Sequence, residues 1–184
     1  MPDAGYKIRN AKEIHFITFV PIAIGIEWVD VFTRKEYRDI LLDSIRYCQK
    51  EKGLMLYGWC VMSNHIHLLA RAKDQNLSDI LRDFKKFTSK QIIKAIEQNE
   101  RESRKEWMIR IFKEQGEKNS RNKEYQFWRQ DNHPKKCYSS KFSLQKLNYI
   151  HNNTVEAGLV DKAEEYYTVA QEIIFMETML VCSK

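Results

Sequence analysis

Two histidines one residue apart, His65 and His67, sit inside the run WCVMSNHIHLLARA between Trp59 and Ala72. Neutral imidazole is the commonest metal ligand among side chains. On an extended strand side chains alternate, so His65 and His67 share one face while Ile66 points to the other. Val61, Ile66 and Leu68 then serve a core, and the two imidazoles come close enough to share a cation. The same spacing also fits two histidines on an exposed sheet face that only hydrogen-bond to their neighbours.

A second group of chemically able residues lies about eighty positions downstream, in QKLNYIHNNTVEAGLV from Gln145 to Val160. With Leu147 as the origin and about 100° per residue, Leu144 and Ile150 flank it as a narrow apolar arc. Tyr149 and Asn153 fall opposite that arc, one turn apart, and can face one site together. His151 falls on the apolar arc and reads as a packing histidine. A surface tyrosine beside a helix-terminal asparagine is the plain alternative. A zinc hydrolase is another use for the histidine pair, but it needs a third strong ligand and an open water position. The position where a following ligand would fall is Leu69.

The elements that must hold these residues follow from periodicity. Ile14 to Pro21 is β-branched and aromatic and predicts a strand. Thr33 and Glu36 have capping-box spacing, and Tyr37, Ile40, Leu41, Ile45 and Cys48 make a helical stripe that Gly53 stops. LMLYGWCVMSNHIHLLARA predicts two short strands or one strand bent at Gly58. Asn76, with Asp79 three residues on, begins a second helix whose inner face is Leu77, Ile80, Leu81, Phe84 and Thr88. The polar stretch 97–123 predicts a helix around Trp107, Met108, Ile111 and Phe112, then a loop near Gly116 to Asn122. An extended segment with a turn at His133–Pro134 comes next. Helices over about Ser143–Asn152 and Lys162–Thr178 close the chain. This order predicts an α+β fold, an antiparallel sheet with helices packed on one face, in one domain spanning 1–184 with a charged helical insertion over about 97–124.

The 184 residues carry a net charge of +6. From Lys85 to Lys146 there are 17 Lys/Arg against 8 Asp/Glu, a net of +9, which leaves −3 for the rest. Such a basic stretch suits a polyanion, and equally a solvated helix. The four scattered cysteines argue against a disulfide framework or zinc ribbon. With no apolar signal segment and no run of about 20 apolar residues, the expectation is a soluble, cytoplasmic protein without membrane contact.

MSNHIHLL followed by LNYIHNNTVEAGLV resembles the single-tyrosine HUH transposases, the IS200/IS605-type enzymes and their REP-associated relatives. HFITF, YGWCVMSNHIHLL, LRDFKKFTSK and FWRQDNHP extend the resemblance from about Glu13 to Val160. The resemblance implies a ferredoxin-like or RRM-like antiparallel sheet with the histidines on a central strand. It makes Tyr149 the nucleophile and His65, His67 and Asn153 the metal ligands. Two imidazoles and an amide oxygen suit Mg²⁺ or Mn²⁺ better than a closed zinc site. The implied reaction cleaves and rejoins single-stranded DNA through a 5′-phosphotyrosine. Its partner is DNA bearing a hairpin at a repeat or element end, bound by a homodimer or a monomer. Lys85, Lys86, Lys90, Arg129, Lys135 and Lys136 are then candidates for tracking phosphates. Trp128 or Tyr138 could stack on bases. One departure is Thr154, where the family pattern has a proline that ends the tyrosine helix. A domesticated, non-catalytic hairpin-binding protein is the alternative function.

Overall fold

The computed structural model describes residues 8, 10, 12–22, 29–119, 124–130, 134–158 and 160–162. Beyond its first residue, Lys162, the expected helix over Lys162–Thr178 lies outside the described residues, as does the His133 end of the predicted turn. The elements are β1 (His15–Phe19), a 3₁₀ turn (Val31–Thr33), α1 (Lys35–Lys52), β2 (Leu54–Val61), β3 (Ile66–Ala72), α2 (Leu77–Gln98), α3 (Lys105–Glu117), β4 (Lys135–Lys136) and α4 (Ser140–Glu156). The strands form one sheet in the order β2-β3-β1-β4, every neighbouring pair antiparallel. Up to β4 this is the βαββαβ chain path of a ferredoxin-like fold, with α3 added before the last strand. Among the described residues no helix is long and apolar enough to cross a membrane.

Alternation divides the sheet into two unequal faces. Ile17 and Phe19 of β1 and Ile66, Leu68 and Ala70 of β3 join the larger core with α1, α2 and α3. Phe16, Cys60 and Leu69 point the other way and form a small core under Leu147 and Ile150 of α4. The main helical layer thus lies on one face as expected, and α4 covers part of the other because its buried stripe needs an apolar floor. In β2 the ladder slips between Leu56 and Gly58. This irregularity keeps Leu56 in the large core, yet turns Cys60 to the small one and Trp59 and Val61 back to the large one.

Gly53 ends α1 in the left-handed region, φ 68°. Asn76 caps α2 by accepting from the Ser78 N–H at 2.9 Å. The capping box expected at Thr33 does not form. Helix α1 starts at Lys35, and the Thr33 hydroxyl donates instead to the Asp30 carbonyl at 3.2 Å. The loop expected from Gly116 does not begin there either, since α3 runs through it to Glu117. A Cβ on Gly116 would lie 2.7 Å from the Glu124 carbonyl oxygen, so glycine serves close backbone approach rather than a turn. The chain breaks between β2 and β3 at 62–65, not at Gly58. The amide of Met62 donates to the carbonyl of His65 at 2.8 Å and closes the hairpin.

Candidate active site

His67 lies on β3, central in the sheet, opposite Thr18 of β1 and Cys60 of β2. His65 lies just ahead of the strand, in the last position of the hairpin turn. Alternation still brings the rings together, with centroids 4.6 Å apart at 69°. They face the side of the sheet away from α1 and α2, the side crossed by α4.

Helix α4 brings the tyrosine. Ser139 caps it, its hydroxyl accepting from the Phe142 N–H at 3.2 Å, and Ser143, Leu147, Ile150 and Thr154 are its buried stripe. Taken from the middle of that stripe, Asn153 is about 90° round the helix and Tyr149 about 130°. The placement of both residues directly opposite the core therefore needs correction. They occupy the flank, because Ser143 and Thr154 shift the buried arc away from Leu144. From that flank the Tyr149 ring reaches His67 (centroids 5.3 Å) and Phe16 (5.8 Å). Asn153 Nδ2 lies 3.5 Å from His65 Nε2. Thr154 does not end the helix as proline would: it is wholly buried, α4 continues to Glu156, and the left-handed residue is Gly158, φ 66°.

Each imidazole is anchored through Nδ1. In His65 the partner is Asn64 Oδ1 at 2.6 Å, and in His67 it is Thr18 Oγ1 at 3.0 Å. With Nδ1–H as donor, each ring keeps its lone pair on Nε2. Burial holds His65 below the usual imidazole value. Burial, then repulsion from His65 and from Lys146, brings His67 down to about 3. Both rings are therefore neutral at pH 7, and the buried Nε2 of His67 has no hydrogen-bond partner.

This arrangement fits a cation: two neutral imidazole nitrogens, one of them unsatisfied, beside an amide whose half-turn would present Oδ1. Among the described residues no three His, Cys, Asp or Glu side chains gather into a metal-binding group. A third donor must then be an amide, a hydroxyl or a bound ligand, and the zinc-hydrolase reading lacks its third strong ligand. Burial pushes the neighbouring Cys60 thiol up to about 12, so it stays protonated.

Sequence reasoning missed Phe16, Thr18 and Lys146. The Phe16 ring stacks on His67 at 5.1 Å, and Lys146 Nζ lies 5.0 Å from the Phe16 ring centre and 5.5 Å from that of Tyr149. Alternation in HFITF already pairs Phe16 with Thr18, but only the strand order shows which face they meet.

The six basic candidates do not form one surface. Lys85 Nζ donates to the Arg129 carbonyl at 2.6 Å and sits over Phe19. Lys136 pairs with Glu13 at 2.6 Å. Lys86, Lys90 and Arg129 are exposed, the two lysines on α2 across the sheet from the histidines. Lys135 is opposite Phe16 in the ladder and so shares the histidine face. Trp128 is a core residue whose Nε1 donates to Thr88 Oγ1 at 3.0 Å, whereas Tyr138 is open to solvent.

A family model described as "Transposase IS200 like" matches residues 22–125. The chain belongs to the IS200-like transposase family. The matched span holds the histidine pair of this IS200-like chain and ends before Tyr149 and Asn153, which α4 adds in three dimensions. A solved structure, described as that of a REP-associated tyrosine transposase bound to a REP hairpin, superposes with a TM-score of 0.57 at 13% identity. The match covers 89% of this chain and 79% of that one. No curated protein matches the sequence. The structural likeness, at that identity, places this IS200-like chain in the same fold.

Proposed function

We propose that this chain nicks and rejoins single-stranded DNA carrying a hairpin, with Tyr149 as the nucleophile. The observation that carries this reading is the convergence of two segments some eighty residues apart, the start of β3 and helix α4. A neutral, unsatisfied His67 touches the ring of Tyr149, while Asn153, one turn further along α4, reaches His65. A structural core has no use for that combination, since buried polar atoms are ordinarily paired.

In the proposed step Tyr149 Oη attacks the phosphorus of a phosphodiester. The Oη–P bond forms and the P–O3′ bond breaks. The phenol proton passes through solvent to the departing 3′-oxygen, leaving a 5′-phosphotyrosine and a free 3′-hydroxyl. The covalent link retains the phosphodiester's reactivity, so a second 3′-hydroxyl can reverse the step elsewhere without ATP. Phe16 and His67 pack against the phenol and restrict its ring, which favours a fixed line of attack. His65, His67 and Asn153 would hold a divalent ion, Mg²⁺ or Mn²⁺, that supplies neutralisation of charge at the phosphate. Lys135 is the basic candidate on the same face. Lys86, Lys90 and Arg129 would meet DNA wrapping toward the helical side. Residues 97–124 are, on this reading, an insertion whose helix α3 extends the large core.

The test is incubation with hairpin oligonucleotides carrying single-stranded flanks and Mn²⁺, followed by denaturing electrophoresis. The expected result is a covalent adduct to the 5′-phosphate fragment that disappears in Tyr149→Phe while hairpin binding is kept. Metal-dependent cleavage by Tyr149→Phe, or hairpin binding by the wild type with no adduct, would reject it. The latter result would favour a non-catalytic hairpin-binding protein.

A further inference from the structure

Tyr138 is the most exposed large hydrophobic residue among those described, with 75% of its surface in solvent. It is nevertheless held in place. Its ring lies on that of Phe142 with centroids 4.9 Å apart and planes 13° from parallel. The line continues: Lys146 Nζ is 5.3 Å from the centre of Phe142 and 5.5 Å from that of Tyr149. Phe142, Lys146 and Tyr149 follow the four- and three-residue steps of one helix side, so the row leads along α4 from Tyr138 to the candidate nucleophile.

A tyrosine that merely covered Phe142 would give the row no reason to be lined with cations. Lys141 and Lys146 lie on the first turns of α4, and Lys135 projects from β4 on the histidine face. None of the three makes an ion pair among the described residues. The helix's acidic residue, Glu156, is at its far end. An open aromatic face, a second ring beneath it and cations alongside are the elements that bind unpaired nucleic acid, where bases stack and phosphates meet Lys or Arg.

We propose that the Tyr138–Phe142 stack is a subsite for one unpaired nucleobase of single-stranded DNA. The base lies on the open face of Tyr138, and Lys135 and Lys146 face the adjoining phosphates. That this subsite holds the strand beside the phosphodiester attacked by Tyr149 rests on the proposed function; base binding itself does not.

The experiment uses the full chain carrying Tyr149→Phe, so that no adduct forms. Two fluorescein-labelled probes are compared by anisotropy: an oligodeoxythymidine, and an abasic deoxyribose-phosphate strand of the same length. Adding Tyr138→Ala is expected to weaken oligodeoxythymidine binding about tenfold and to leave the abasic strand unchanged, as loss of one stacked base would. Tyr138→Phe, which keeps the ring, should bind both as before. Equal loss on the two probes, or no loss on either, would overturn the subsite. The adduct assay with Tyr149 intact separates the two proposals. No adduct in the wild type, together with a base-dependent loss in Tyr138→Ala, removes the chemistry and keeps the subsite. An adduct without that loss does the reverse.

Discussion

Glu102, in the helical layer, and His67, on the opposite side of the sheet, are both buried ionisable side chains, and they are satisfied to very different degrees. Glu102 accepts from Arg34 Nε at 2.6 Å and Arg104 Nε at 3.0 Å, and Tyr37 Oη is 3.4 Å away. His67 has one partner, Thr18, and a bare Nε2. The other buried, unpartnered side-chain atoms among the described residues are His151 Nδ1 and Thr154 Oγ1, both on α4. Among the described residues, buried side-chain polarity without a partner is therefore confined to the side of the sheet that holds the candidate site. A layer that only has to be stable pairs its polar atoms, because each orphan costs about 1–3 kcal/mol. A site that must accept a ligand keeps some atoms waiting for it.

Acid separates the two regions most strongly. Burial alone would raise the Glu102 carboxyl, but hydrogen bonds from Arg104 and Arg34 outweigh it and hold it at about 2. Its folded value is below the ordinary 4.5, so its contribution is present above that pH and is lost as pH falls toward 2. His67 is held at about 3 against an ordinary 6.5, so the unfolded chain takes up the proton first and stability declines from 6.5 down toward 3. In chelator-treated protein, urea unfolding across pH should show both declines. Glu102→Gln should cost about 2 kcal/mol at pH 7 and flatten only the lower window. His67→Gln should flatten only the upper. Identical pH profiles in the two variants would erase the contrast.

Thr18 sharpens the comparison from the site's side. Thr18→Val removes the hydrogen bond that orients His67 but keeps the shape, and outer-shell partners of this kind affect metal affinity by about 10–100-fold. Weaker Mn²⁺ binding by calorimetry is expected, with little change in unfolding midpoint. Unchanged affinity would make Thr18 a packing residue only.

The smallest effect is expected where α4 meets the sheet. A Cβ at Gly58 would lie 2.6 Å from Leu147 Cδ1. Gly58→Ala should cost about 1 kcal/mol through overpacking and slow adduct formation by tilting Tyr149 away from His67. A variant with full adduct rate would show that α4 tolerates the shift.

Local periodicity made much of this molecule legible. Alternation put His65 and His67 on one face, and the apolar stripes of α1 and α2 held, since both follow from backbone geometry within a few residues. The order of the elements pointed to the α+β class, while the family resemblance was carried by the motifs MSNHIHLL and LNYIHNNTVEAGLV themselves. The missing capping box at Thr33 was not, because the competing acceptor, Asp30, is released only by the 3₁₀ turn. Nor was the true flank position of Tyr149, which depends on Thr154 and Ser143 being buried although both are polar.

The sequence by itself determined that His65 and His67 share one side of the sheet and that Tyr149 and Asn153 share one side of α4. The tertiary structure alone decided which faces meet. The strand order sets Thr18 and Phe16 against His67, the slip in β2 turns Cys60 toward α4, and Gly58 lets Leu147 approach closely enough to bring Tyr149 over the histidines. These are contacts between residues far apart in the chain. They are selected by the burial of whole surfaces, to which no single local pattern corresponds.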